Sequence, residues 1–292
     1  MGIKDILLQV DPGPAYPGRL DLAASLARHH VAHLTGLFTL DLGMAPALPF
    51  GLADPEGAAI LASRQERLRD DALAAAAKLQ AGFDGRLQRD GVAGEWRLAE
   101  GRAVLAAALH ARCADLAILG QEDPDDPRTH GWTAAAEQVL LSSGRPVLVV
   151  PYAGQFAHVG RRVLIGWNAQ REAARAVHDA LPLIREAAVV TVVAVDPHGW
   201  PGGLGGQGGG HGDEPAADIA RHLARHGLRV TAAQTESGGI GVADVLLNQA
   251  ADMGADLLVV GGYGRPRALE VVLGGVTRAL LQRMTLPVLM SH

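Results

Sequence analysis

Two tandem doubly wound α/β domains are predicted by this sequence, each a five-stranded, mainly parallel sheet with helices on both faces. Three observations carry that prediction. First, near-continuous apolar runs such as VVTVVAV (189–195) and PVLVVP (146–151) alternate with Ala/Leu/Arg-rich stretches of helical spacing. Strands buried on both faces read this way, and the intervening helices supply the crossovers that parallel neighbours need. Second, the chain repeats itself. Ala114–Gly120 (ADLAILG) returns 141 positions later as Ala255–Gly261 (ADLLVVG), and Pro146-Val147-Leu148 returns at the same distance as Pro287-Val288-Leu289. Third, 292 residues with 48% hydrophobic content suit two ordered domains of ordinary size.

Taken in order, Ile6–Asp11 (ILLQVD) and Val163–Asn168 (VLIGWN) open the two copies, each an apolar run ending in a small polar residue and feeding a helix-like stretch. Their ends stand 157 positions apart, so the first copy carries 16 extra residues before its fourth strand. We place these in Leu42–Ser63, whose Pro, Gly and Ala content predicts a loop. In the second copy the pattern predicts strands at 162–167, 189–195, 229–234, 256–261 and 287–291, with helices at 170–186, 214–227, 241–254 and 274–284. The domains are expected to span 1–153 and 160–292, joined near Tyr152–Gly160, and Gly202–Gly212 is expected to be a flexible surface loop.

Composition narrows the function. With 26 Lys+Arg against 31 Asp+Glu the net charge is −5, which leaves no basic surplus for the phosphate contacts of nucleic-acid binding, and 4% aromatic content offers little stacking surface. The longest apolar runs, Ala187–Val195 among them, fall short of the ~18–20 residues of a membrane span. A single cysteine, Cys113, and an N-terminus without leader-like features point to a soluble, cytoplasmic, reducing setting. Cys113 itself, just before an apolar strand, reads as a buried, inert thiol. His222 and His226 share a helical face, and His29, His30 and His33 close the first helix; both groups read as solvated imidazoles, not metal ligands. There is no Gly-x-Ser-x-Gly elbow, no Gly-x4-Gly-Lys-Ser/Thr loop, and no Gly-x-Gly-x-x-Gly after either first strand. Hydrolase, motor NTPase and dinucleotide oxidoreductase therefore lose their main support, and no catalytic residue is assigned.

Open parallel sheets bind ligands outside the carboxyl ends of their strands, with anions at helix N-termini. In the second copy that rule selects Asn168 after the first strand, Asp196 after the second, and Gly261-Gly262-Tyr263-Gly264 after the fourth, followed by Gly274-Gly275 at a helix start. Glycines there let backbone N–H groups approach phosphate oxygens. Their own alternative is a tight strand-to-helix loop; for Asn168 it is a helix cap, and for Asp196 a strand-ending turn.

With these residues in view, the sequence resembles the universal stress protein family, as a tandem member with two Rossmann-like domains. The family's nucleotide-binding signature, Gly-x2-Gly-x9-Gly-Ser/Thr after strand four with an Asp ending strand one, is matched by Gly261, Gly264 and Gly274, whereas Gly275 replaces the Ser/Thr and Asn168 the Asp. Thr277 offers a hydroxyl two residues on. The resemblance implies an adenine nucleotide, ATP, with or without Mg²⁺, bound in the C-terminal domain by Asn168, Asp196, Gly261, Gly264, Gly274, Gly275 and Thr277. It also implies a stress-response regulatory role, an unidentified protein partner, and turnover limited to weak ATP hydrolysis or autophosphorylation. The alternative is a nucleotide-independent interaction module. In the first copy Gln121–Glu122–Asp123 follow Gly120, and Asp125 and Asp126 add further acid, so despite Asp11 its site is expected to be degenerate. Family members pair final strands across a dimer interface; Val147–Val150 and Val288–Met290 suit an intramolecular version, with a homodimer optional.

Overall fold

The computed structural model describes residues 2–40, 55–197, 216–263 and 275–292. Ten strands and eight α-helices lie among them. The first half runs β1 (Asp5–Val10), α1 (Tyr16–His30), β2 (His33–Leu40), α2 (Pro55–Asp90), β3 (Gly94–Glu100), α3 (Ala103–Ala111), β4 (Leu116–Gly120), α4 (Trp132–Ser142) and β5 (Val147–Val150). The second runs β6 (Arg162–Trp167), α5 (Arg171–Ile184), β7 (Val189–Val195), α6 (Ala217–Arg225), β8 (Val230–Thr235), α7 (Val242–Asp252), β9 (Leu257–Gly261), α8 (Val276–Arg283) and β10 (Val288–Ser291). All five strands expected in the second half, at 162–167, 189–195, 229–234, 256–261 and 287–291, coincide with the observed ones to within a residue.

All ten strands form one sheet in the order β3-β2-β1-β4-β5-β10-β9-β6-β7-β8. Each half contributes the same doubly wound order, third strand outermost and fifth at the centre, with parallel neighbours throughout. The halves meet where β5 pairs antiparallel with β10, Leu148 opposite Leu289. The apolar final strands therefore close the seam within one chain. Side chains alternate across the sheet: Ile6 and Leu8 join α1, α2, α5 and α6 on one face, Leu7 joins α3, α4, α7 and α8 on the other. Because the halves are joined edge to edge, each of the two apolar layers runs the length of both.

The inserted segment departs from expectation. From Pro55 onward it is helix, not loop: α2 is a single helix of 36 residues. Proline is suited to a first helical turn, and the Ala, Leu, Arg and Glu that follow are strong helix formers, so propensity along Glu56–Lys78 outweighs the loop-like composition upstream. The remainder of Leu42–Ser63, residues 42–54, and all of Gly202–Gly212 lie outside the described residues.

The repeated Ala-Asp-Leu motif has a structural reason. Asp256 accepts the backbone N–H groups of Gly160 (2.9 Å), Arg161 (3.0 Å) and Arg162 (3.1 Å), pinning the start of β6 to that of β9. Asp115 does the same for Lys4 (2.7 Å) and Asp5 (3.1 Å) at β1. Gly160 sits at φ +87°, and a side chain there would strike the Leu183 carbonyl oxygen, so the segment entering the second half accepts only glycine. Asp256→Ala should cost about 2 kcal/mol, from hydrogen bonds to a charged acceptor, and Asp115→Ala less, because Asp115 is more exposed and holds fewer amides; urea unfolding of both variants checks the ranking.

Candidate functional site

The carboxyl ends of β6, β7 and β9 and the start of α8 converge in the second half. At β6 the Asn168 side chain, exposed, accepts the Gln170 N–H through Oδ1 at 3.1 Å, and Ala169 between them takes φ +57°. This closed turn delivers the chain into α5. At β7 Asp196 takes φ +47° and its Oδ1 accepts the Ser237 N–H at 2.8 Å, tying the ends of β7 and β8 together. The Ser237 hydroxyl and amide hold its carboxyl below the usual range. At β9 Gly261 lies under the first turn of α5: a Cβ would stand 2.5 Å from the Ala173 nitrogen and 2.6 Å from the Glu172 carbonyl carbon. Glycine at this position permits close helix-on-strand packing. Gly275 is the N-cap of α8, and the first intrahelical bond runs from Ala279 to its carbonyl, so the N–H groups of Val276, Thr277 and Arg278 have no intrahelical acceptor. Thr277 is buried, and its Oγ1 accepts the Tyr263 N–H at 3.1 Å, fixing the chain just past β9 against α8. Gly264 and Gly274 lie outside the described residues.

The same place in the first half is filled. Arg19, 1% exposed, pairs with Asp11 at the end of β1 and donates through Nε to the Gln9 carbonyl at 3.3 Å. Its guanidinium lies 5.4 Å from the Trp132 ring centre and 5.9 Å from that of Tyr16, within cation–π range. A Cβ on Gly120, ending β4, would strike Arg19 Nη1 and Trp132 Cζ3. At the counterpart positions the second half has Ala173 for Tyr16 and Ala176 for Arg19, 157 residues on. Glu122 projects its carboxylate onto the start of α4, where Oε2 accepts the Thr133 N–H at 3.0 Å. Partial burial opposes ionisation of Glu122, but hydrogen bonds from Thr133 and the Gly131 amide prevail and hold its pKa low. Asp126 is taken by the Arg128 guanidinium and amide, and Asp123 by the Asp125 amide.

Residues 160–292 match the family model described as the universal stress protein family. The chain carries a universal stress protein domain. In fold, the likeness extends over both halves. A universal stress protein from Archaeoglobus fulgidus is similar at 13% identity over 98% of this chain and 96% of that one, with a TM-score of 0.68. A functionally unknown protein from Pseudomonas aeruginosa is similar at 16% identity over 99% and 92%, TM-score 0.56. Among shorter matches is the universal stress protein from Archaeoglobus fulgidus in complex with dAMP, at 17% identity over 51% of this chain and 98% of that one, TM-score 0.34. No curated protein matches the chain by sequence.

Within the universal stress protein domain, then, the structure brings Asn168, Asp196, Gly261, Gly275 and Thr277 to one end of the sheet. Pattern reading missed Glu172 there, and Arg19 and Trp132 at the equivalent place in the first half. Glu172, buried in the first turn of α5 and paired with Arg171 at 2.7 Å, reads in sequence as an ordinary N-terminal acid. Arg19 and Trp132 belong to segments whose spacing predicts only helix, although the change from Arg19 to Ala176 between copies was a visible signal. Elsewhere Cys113 is exposed, not buried, because it follows the end of α3 and precedes β4. It lines a cavity of about 320 Å³ at the amino ends of β1, β2 and β3, with Asp5, His33, Glu95, Arg97 and His110. His33 opens β2 instead of closing α1. No cluster of three metal-ligating side chains occurs among the described residues, and no described helix is long and apolar enough to cross a membrane.

Proposed function

We propose that the second domain, 160–292, binds an adenine nucleotide, ATP with or without Mg²⁺, and that the first domain, 1–153, is its degenerate structural partner in a stress-response regulatory protein. The observation that carries this reading is the difference between equivalent sites. In the first half a cation, a tryptophan and a carboxylate occupy the strand ends and the start of α4. In the second half the corresponding helix face is alanine, and α8 opens with glycine and three N–H groups lacking intrahelical acceptors. Those amides, with the helix dipole, suit phosphate oxygens. The Asn168 amide can both accept and donate toward a base or ribose. Asp196 is committed to the β8 end, and Gly261 to α5, so both support the walls of the site. Phosphate contacts then fall to Gly264, Gly274 and Gly275. The resemblance to the family's glycine signature supports the same assignment. Mg²⁺, when bound, would supply charge neutralisation between phosphates; no residue of this chain is assigned to it. With no dedicated base or metal carboxylate identified, turnover is expected to be slow or nil.

Calorimetric titration of the nucleotide-stripped full chain with ATP, with and without Mg²⁺, tests the reading. The expected result is one site per chain at micromolar affinity, about −8 kcal/mol. Replacing Gly264 and Gly274 together with bulky residues should abolish the heat while leaving the melting temperature of the free protein within about 2 °C. Two sites per chain would overturn the degenerate first domain. Absence of binding, with no thermal stabilisation by saturating ATP, would instead favour a nucleotide-independent interaction module.

A further inference from the structure

The seam between the halves contains pairs of residues that are one another's counterparts. Leu148 faces Leu289 in the β5–β10 register, and the two stand 141 positions apart, the same distance as the repeated motifs. A position that faces its own counterpart lies on the pseudo-two-fold axis relating the copies. Glu137 of α4 and Arg278 of α8 are also 141 positions apart, and they too face each other. Arg278 Nε donates to Glu137 Oε1 at 2.9 Å and Nη2 to Oε2 at 3.2 Å, a bidentate pair. On such an axis two identical halves must set like against like. This chain sets a carboxylate against a guanidinium.

A second difference lies beside the axis. Gln121 and Gly262 are counterparts after β4 and β9. A Cβ on Gly262 would stand 2.5 Å from Leu140 Cδ2, so the second half receives Leu140 through its lack of a side chain there. The first half instead has Gln121, whose Nε2 donates to the Leu281 carbonyl at 3.0 Å and whose Oε1 accepts the Tyr152 N–H at 3.3 Å. Two first halves brought together across this seam would face Glu137 with Glu137, while Gln121 would meet Leu140 as it now meets the counterpart Leu281. Two second halves would face Arg278 with Arg278.

We propose that the seam is charge-keyed: Glu137 and Arg278 make the first half of this chain a fit for a second half and a misfit for another first half. A second copy of the chain can then engage this seam only first half to second half, because opposed like charges are the repulsive element by which an interface rejects wrong partners. This is independent of whether nucleotide binds.

Four full-length chains test it. Arg278→Glu recreates within one molecule the Glu/Glu seam of paired first halves, and Glu137→Arg the Arg/Arg seam of paired second halves. The third carries both substitutions, and the fourth is unaltered. In thermal unfolding at low salt each single variant should lose about 2–4 °C, and the double variant should regain most of that loss. In 1 M salt, where the screening length shrinks to about 3 Å, the single-variant losses should diminish. Glu137→Ala should lose less than Glu137→Arg, since it removes attraction without adding repulsion. Additive losses in the double variant, or losses that salt leaves unchanged, would overturn the keyed seam and leave Glu137 and Arg278 as an ordinary surface pair.

Discussion

Gly261→Ala is expected to lower the unfolding free energy by about 2–3 kcal/mol, and Gly261→Val by more. The added carbon meets backbone, not a flexible side chain: the Ala173 nitrogen at 2.5 Å, the Glu172 carbonyl carbon at 2.6 Å and the Ala173 Cα at 3.0 Å. Relief therefore requires α5 to lift from the sheet. That helix buries Ala173, Ala176, Val177, Ala180, Leu183 and Ile184, so its displacement opens space along the core face of β6 and β9. Urea unfolding with a fitted midpoint and slope gives the number; a loss below about 0.5 kcal/mol would show that α5 yields without cost. The contrast with the neighbouring glycines is informative. Substitution at Gly264 and Gly274 is expected to act on ligand affinity, and substitution at Gly261 on stability, although the three form one sequence signature.

Asp11→Ala is expected to cost about 3–5 kcal/mol, because it leaves the Arg19 guanidinium buried without its counter-charge. Burial holds the Asp11 carboxyl above its usual pKa against the opposing pull of Arg19 and the Gly13 amide. The intact pair is thus no large source of stability, yet half of it is worse than the whole. Replacing Arg19 with leucine in the Asp11→Ala background should recover most of the loss, since an apolar side chain can fill the space beside Trp132 and Tyr16. A double-mutant cycle on unfolding free energies measures the coupling. Equal losses in the single and double variants would show that Arg19 finds water or another acceptor when Asp11 is gone.

The elements of the second half were legible to within a few residues because their signals are local: VLIGW, VVTVVAV and LLVVG are strands by composition alone, and the glycines and polar residues around them mark their ends. The 36-residue α2 was only partly legible, since Pro55 and Gly57 mimic loop composition while the run after them is helix-forming. At the candidate site, topology selected Asn168 and Asp196, and the glycine signature drew in Thr277. Their partners were not legible, because Gln170, Ser237 and Tyr263 meet them through backbone N–H groups that any residue other than proline would supply. Cys113 was misplaced for a related reason: proximity in sequence to a buried strand says nothing about where a side chain points as the chain leaves a helix.

By itself the sequence determined the repeat and the alternation of strand and helix within it, since periodicity is a property of neighbouring residues. Only the tertiary structure decided what fills the first half and which side chains meet across the seam. Arg19 reaches Trp132 across more than a hundred residues, and Glu137 meets Arg278 across the seam, only when the sheet has assembled. Such contacts depend on distance in space and on the burial that makes charge and shape costly to mismatch, and neither quantity is written in local spacing.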